Sequence, residues 1–304
     1  MIEQPRRLPG ARHRDVAAPY LFLAPFLVLF VVFAVGPSIA TFWLAWWEWD
    51  PLAGQRWVGT ANFGRLAADP RFWNATLNTL AIAVIATTAQ VAVGLAIAHA
   101  IHQAALRRTA LLRVSFLVPY VTSGAAVAIL TAQLVDRNYG AVPAAAALLG
   151  FGDVDPLASP AGAWLVVSAM VAWRWFGFTT LLMLAVLESI PRDLYRAAQL
   201  DGAGGWAQLR HLSVPLLGPV IAFSFLTSVV GALQLFTEPL LVAPGTITCG
   251  PGRQCQTLAL LVYELGFRDS QFGYAAAVAT TVMIFAAVLV GGGVAASRRW
   301  GWIA

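Results

Sequence analysis

Residues 195–219 read YRAAQLDGAGGWAQLRHLSVPLLGP, a polar island between two long apolar stretches. The pattern predicts two short helical runs, the first over Leu194–Leu200 and the second closed by Pro215, punctuated by Asp201-Gly202-Ala203. Asp suits the cap at the start of a helix, and Gly takes backbone angles that other residues resist. An ordered connection between apolar segments reads as a docking surface rather than a tether.

The flanking composition sets the class. The 304-residue chain is 59% hydrophobic and 11% charged, with a mean hydropathy of +0.73. A soluble domain carries about 25% charged residues. Windows of roughly 20 apolar residues, enough to cross a bilayer, occur at Pro19–Leu44, Thr76–Ala98, Ala110–Leu134, Ala161–Leu187, Leu216–Val242 and Gly273–Ala296. The expected fold is an all-α polytopic membrane protein with six transmembrane helices and both termini cytoplasmic. Its parts are a tail at 1–18, a membrane domain at 19–297 that includes the loop 188–215, and a tail at 298–304. The first window follows a cluster of arginines as a secretory signal would. Its apolar run is too long for one, and no small-residue cleavage site follows, so it reads as a retained anchor.

Orientation follows from arginine. All 19 basic residues are Arg, and the chain has no lysine. With the termini inside, the inner segments carry Arg6, Arg7, Arg12, Arg14, Arg107, Arg108, Arg113, Arg192, Arg196, Arg210, Arg298 and Arg299. The outer ones carry only Arg56, Arg65, Arg71, Arg137, Arg253 and Arg268. This satisfies the positive-inside rule. The net charge of +5 thus reflects topology and a membrane-lipid environment, and gives no reason to expect nucleic acid as a partner. Trp43, Trp46, Trp47 and Trp49 fall at the outer end of the first span, and Trp300 and Trp302 follow the last, as interfacial anchors do.

Cys249 and Cys255 share the outer loop between the fifth and sixth spans, with Gly250, Pro251 and Gly252 between them to allow a tight turn. The outward compartment favours a local disulfide over two free thiols. No metal site is expected there, since the loop has no His. His99 and His102 share a helix face, but no carboxylate is near them in sequence.

No catalytic motif emerges. A P-loop needs a lysine that this chain lacks, and neither GxSxG, HExxH nor CxxC occurs. No cofactor and no enzymatic activity are expected. Apart from Arg113 at the inner end of the third window, Arg174 and Glu238 are the charged residues inside apolar windows, where charge is expensive and by default functional. Arg174 lies roughly 24 Å from Ile190 at 1.5 Å per residue, near the outer boundary, and Glu238 lies similarly high. They either line a solute path or cap their spans in interfacial water. Gln234, one helical turn from Glu238, is expected on the same face, where it would hydrogen-bond a hydroxylated solute.

Taken together, Ile190-Pro191, Ala197-Ala198, Asp201-Gly202-Ala203 and Val214-Pro215-Leu216-Leu217 with Pro219 resemble the EAA loop of binding-protein-dependent ABC importer permeases, most closely the carbohydrate-type branch. Asn62-Phe63, Phe72-Trp73 and Asn78-Thr79 are similar to the family's approach to its second span, and Phe272-Gly273-Tyr274 to that of its sixth. The resemblance implies a type I permease bundle. Its loop would couple to cytoplasmic ATPases, with Ala197 and Ala198 allowing close approach, Asp201, Gly202 and Ala203 holding the bend, and Pro215 fixing the exit. It also implies a second homologous permease subunit, two ATPase subunits, an extracytoplasmic solute-binding protein and a sugar or polyol as cargo, in the cell membrane of a prokaryote. Arg196 departs from the pattern, standing where the family usually has Glu, and Ala243-Pro244-Gly245 with the cysteine insert replaces a Gly-rich turn. The alternative is an ion-coupled secondary transporter acting alone, although no inverted repeat or mid-span carboxylate marks one.

Overall fold

Proline and glycine decide where these helices bend and how closely they cross. The computed structural model describes residues 11–50, 54–104 and 109–299. Arg6, Arg7, Arg107, Arg108, Trp300 and Trp302, with the greater part of both expected tails, lie outside the described residues.

The chain begins with α1 (Pro19–Leu44), a small antiparallel hairpin of β1 (Trp47–Asp50) and β2 (Gly54–Trp57), and α2 (Ala61–Ala68). There follow α3 (Pro70–Ala104), α4 (Thr109–Val121), α5 (Gly124–Val135), α6 (Ala141–Leu148) and α7 (Pro160–Ser189). The polar island forms α8 (Arg192–Leu200) and α9 (Gly205–Leu216). The chain then runs through α10 (Gly218–Leu233), α11 (Thr237–Val242), α12 (Leu258–Tyr263) and α13 (Phe272–Arg299). Among the described residues α1, α3, α7 and α13 are each long and apolar enough to cross a membrane.

The expected third and fifth spans are not straight helices. α4 and α5 meet at 83° and α9 and α10 at 70°, and counting each bent pair as one span gives six. At the first break, Pro119 withholds a backbone donor, and the Thr122 hydroxyl bonds back to the Pro119 carbonyl at 2.5 Å. Ser123 then turns extended, with ψ 127°. The window Leu216–Val242 breaks a second time, because α10 ends at Leu233 and α11 starts at Thr237. Pro239 is the physical cause. In a continuous helix its ring would clash with the carbonyl of Leu235. In the first turn of α11 it is harmless, and the Leu235 carbonyl instead accepts from the Thr257 hydroxyl at 2.6 Å.

The core forms where α3 lies along α7. A Cβ on Gly94 would meet the Thr180 backbone nitrogen at 3.2 Å, and Ala98, Met183, Leu184 and Leu187 are buried alongside. Small residues let the backbones approach, which is how helices associate without a hydrophobic drive between them. α1, by contrast, buries none of its apolar window within the chain, as suits a helix solvated by lipid.

The hairpin is the departure from an all-α expectation. Its register pairs Trp47 with Trp57, and Trp57 stacks on Trp46 with ring centroids 6.2 Å apart, so these tryptophans pack on one another. Asn62 pins the hairpin by donating to the carbonyls of Ala45 and Trp47 at 2.9 and 3.0 Å.

Candidate functional site

α3, α7, α10 and the break before α11 enclose a cavity of about 430 Å³. Ile82, Val171, Trp175, Phe178, Phe223 and Phe236 give it apolar walls, and Gln90, Thr227 and Ser228 add polar groups. The structure brings Arg174, Gln234 and Glu238 together on this cavity. Gln234 and Glu238 arrive from opposite sides of the break, not from one helical face as an uninterrupted span predicted.

Arg174 Nη1 donates to Glu238 Oε1 at 2.5 Å, with side chains 21% and 7% exposed. Neither charge serves as a separate cap for its own span. A lone charge in this setting would be strongly penalised, and the pairing offsets part of that penalty. The backbone of Gly124, at the start of α5, closes on the pair. A Cβ there would stand 2.8 Å from Arg174 Nη1 and 3.2 Å from Glu238 Oε1. The N-terminus of α5 therefore abuts both members of the pair, the guanidinium more closely than the carboxylate. Two buried polar atoms on cavity-lining residues, Arg174 Nε and Ser224 Oγ, have no hydrogen-bond partner among the described residues. Buried groups left in this way are stabilised by a guest that hydrogen-bonds them.

On the outer face, Cys249 and Cys255 are joined as a disulfide, with Cα atoms 5.3 Å apart. The closed segment is sewn to the bundle. Asn78 donates to the carbonyls of Arg253 and Gln256 at 2.9 and 3.0 Å and accepts from Trp164 Nε1 at 2.8 Å. Arg253 holds Glu264 through both terminal nitrogens at 2.6 and 2.9 Å, and Gln256 adds a bond at 2.6 Å. Burial alone would raise the Glu264 pKa, but the bonds from Arg253 and Gln256 outweigh it and hold the carboxyl below its ordinary range. Asp69 is likewise raised by burial but lowered further by hydrogen bonds from Arg71 and Tyr274, leaving it below its usual value. Tyr274 donates to Asp69 Oδ2 at 2.8 Å.

The polar island is ordered by its own backbone. At the end of α8 the N–H of Gly202 bonds the Gln199 carbonyl at 3.0 Å and that of Ala203 bonds Ala198 at 2.9 Å. This is the paired arrangement of a Schellman cap, and Gly202 takes the left-handed φ of +83° that it requires. Asp201 is therefore the C-terminal cap of α8 and not the start of the next helix, whose cap is Gly204. Pro215 does not close the second run, since it lies within α9, one residue before the end at Leu216. Ala197 is exposed and Ala198 half-buried. Arg196 bonds Asp193 one turn earlier at 3.0 Å, on the surface.

A buried polar set fixes the island to α3. Ser213 Oγ lies 3.0 Å from the Tyr195 hydroxyl and 3.1 Å from His99 Nδ1, and His99 Nε2 lies 3.2 Å from the Gly205 carbonyl. Gln103 donates to Gln208 Oε1 at 2.5 Å, and Gln208 donates to the Ala203 carbonyl at 2.8 Å. Sequence reasoning missed these roles, although a polar residue every turn at the end of α3 (His99, His102, Gln103) was the available signal. At the tip, Leu200 is 90% exposed and Trp206 is 74% exposed.

Residues 90–297 match the family model described as "Binding-protein-dependent transport system inner membrane component". The lactose transport system permease protein LacF of Rhizobium radiobacter is 33% identical over 281 residues, covering 91% of this chain and 93% of the relative. The trehalose/maltose transport system permease protein MalF of Thermococcus litoralis is 27% identical, covering 92% and 94%. A chain of a bacterial alginate ABC transporter, crystallised with an alginate pentasaccharide-bound periplasmic protein, superposes with a TM-score of 0.79 at 23% identity. That superposition covers 97% of this chain and 98% of the other.

Proposed function

We propose that this chain, which belongs to the family of binding-protein-dependent transport system inner membrane components, forms half of a sugar path and is driven by ATPase subunits through its 188–215 loop. It is a carbohydrate-type ABC importer permease with the type I fold, residing in a prokaryotic cell membrane. It is a permease subunit rather than an enzyme, and the family match sets aside an ion-coupled transporter.

The observation that carries the reading is the cavity. Aromatic walls beside buried, unpartnered hydrogen-bonding atoms, Arg174 Nε and Ser224 Oγ, suit a solute that is apolar on its ring faces and hydroxylated at its rim. Gln90, Gln234 and Glu238 offer further partners. The pair between Arg174 and Glu238 orients the site, and a homologous second permease subunit completes the path. A solute-binding protein delivers the sugar at the outer face.

Energy arrives at the other end. Leu200 and Trp206 would seat in a groove of an ATPase subunit, since large apolar side chains this exposed mark a contact surface. The Schellman cap at Gly202 keeps α8 and α9 at a fixed angle, so that a displacement of the loop moves both as one piece. From α9 the push passes to α10, which carries Phe223, Ser224 and Thr227 of the cavity wall. It also passes to α3 through His99 and Gln103.

The test is reconstitution into proteoliposomes with a second permease, the ATPase and the binding protein. Labelled sugar uptake should require ATP and all partners. Uptake by this chain alone, or by a complex that ignores sugars and moves amino acids, would refute the proposal.

A further inference from the structure

We infer that Phe267, Tyr263 and Phe236 form an aromatic relay that takes a sugar from a pocket on the outer face into the inner cavity. The inference rests on the sugar reading above. A pocket of about 550 Å³ is lined by Thr246, Thr248, Tyr263, Phe267 and Arg268. Tyr263 and Phe267 are four residues apart on one helical side, with ring centroids 5.3 Å apart and planes 29° from parallel. Tyr263 in turn meets Phe236 edge to face, at 5.1 Å with planes 62° apart, and Phe236 lines the inner cavity. The outer pocket and the cavity are thus joined by an unbroken line of rings.

Phe267 touches Phe272 edge-on at 6.3 Å as well as Tyr263, yet it remains 74% exposed. Its neighbours Arg268 and Ser270 are also exposed, as suits a segment at the polar end of the bundle. The opposite wall is held rigid by the disulfide-closed segment, where Gly250 N–H donates to Thr246 Oγ1 at 2.9 Å and Thr248 Oγ1 donates to the Gly250 carbonyl at 3.0 Å. A pyranose has a face of C–H groups that packs on a ring, and a rim of hydroxyls that accepts from a guanidinium such as Arg268. Successive rings let the sugar exchange one platform for the next without being fully rehydrated.

The experiment uses the reconstituted importer with labelled lactose, maltose and trehalose, comparing Phe267→Ala, Phe267→Leu and Phe267→Trp. The readout is sugar moved per ATP hydrolysed. The alanine and leucine variants should lower that ratio by about three- to tenfold, the factor one aromatic contact carries, and tryptophan should restore it. A leucine variant with the wild-type ratio overturns the relay, because then no aromatic face is needed. Uptake and hydrolysis falling in step also overturns it, since Phe267 would then be a docking contact for the binding protein. If the wild-type complex moves none of the three sugars, the sugar reading fails at that step, and the relay fails with it.

Discussion

Separating Arg174 from Glu238 gives the sharpest energetic test of the cavity. At roughly 4 Å between charge centres and an effective dielectric of about 20, the attraction is about 4 kcal/mol. Desolvation of both groups offsets part of this. The 21% exposure of the Arg174 side chain lets solvent screen more. A net coupling of about 2 kcal/mol remains. Glu238→Gln keeps the shape but leaves a guanidinium against a neutral amide, and should lose about 2 kcal/mol of stability. Arg174→Met strands a carboxylate with 7% exposure and should lose about 3 kcal/mol. The double variant should be more stable than the sum of the two losses allows, by the coupling itself. Reversible unfolding in mixed micelles would measure all four corners of this cycle. An interaction energy below about 0.5 kcal/mol would refute the reasoning, because the pair would then be a crossing of two independently solvated groups. Transport should fall in both single variants and stay low in the double one, since restored stability does not return the lost polar groups to the cavity.

Replacing Gly202 with Val forces a β-branched residue to φ +83° and should cost about 1–2 kcal/mol in the loop. Sugar uptake should fall while the complex still assembles, and unchanged uptake would show that the bend does not transmit force. Replacing Cys249 and Cys255 together with Ser reopens a segment closed over a separation of 6 residues, lowering stability by about 2 kcal/mol. Indistinguishable unfolding with and without reductant would contradict this. Glu264 and Asp69 have folded-state pKa values below their ordinary ones, so their contribution is complete above those ordinary values and is lost as pH falls through the lower folded ones. Acid titration of stability should show that loss in the wild type and a smaller one in Glu264→Gln, and identical acid profiles would remove Glu264 from the account.

Hydropathy made the spans legible because a bilayer imposes length and apolarity on every one of them. It was blind to the breaks, since an apolar window looks the same whether its backbone is continuous or not. Pro239 was visible all along, but its meaning depended on Thr257, which takes over the Leu235 carbonyl from outside the window. The polar island was read correctly as two helical runs, because Gly202 is a local signal. The misplaced cap at Asp201 arose because Asp serves either end of a helix and only backbone geometry decides which. Arg174 and Glu238 could each be picked out as expensive charges, yet their pairing spans 64 positions and no spacing rule connects them. The links from His99, Gln103 and Asn78 stayed hidden for the same reason. Each is a polar residue in an apolar run whose partner belongs to another part of the chain.

The two interrupted helices come together at one ionic contact. The turn at Thr122-Ser123 delivers Gly124 to the Arg174–Glu238 pair, and the gap at Gln234–Phe236 delivers Glu238 itself. Each interruption is a joint about which a rigid segment can swing. With the contact intact, rotation at either joint would have to break the Arg174–Glu238 bond or carry both segments along. The bundle then has fewer independent motions than its number of bends suggests. The Arg174–Glu238 bond adds an ionic tie to the packing of α5 against α11 that already holds the two joints together.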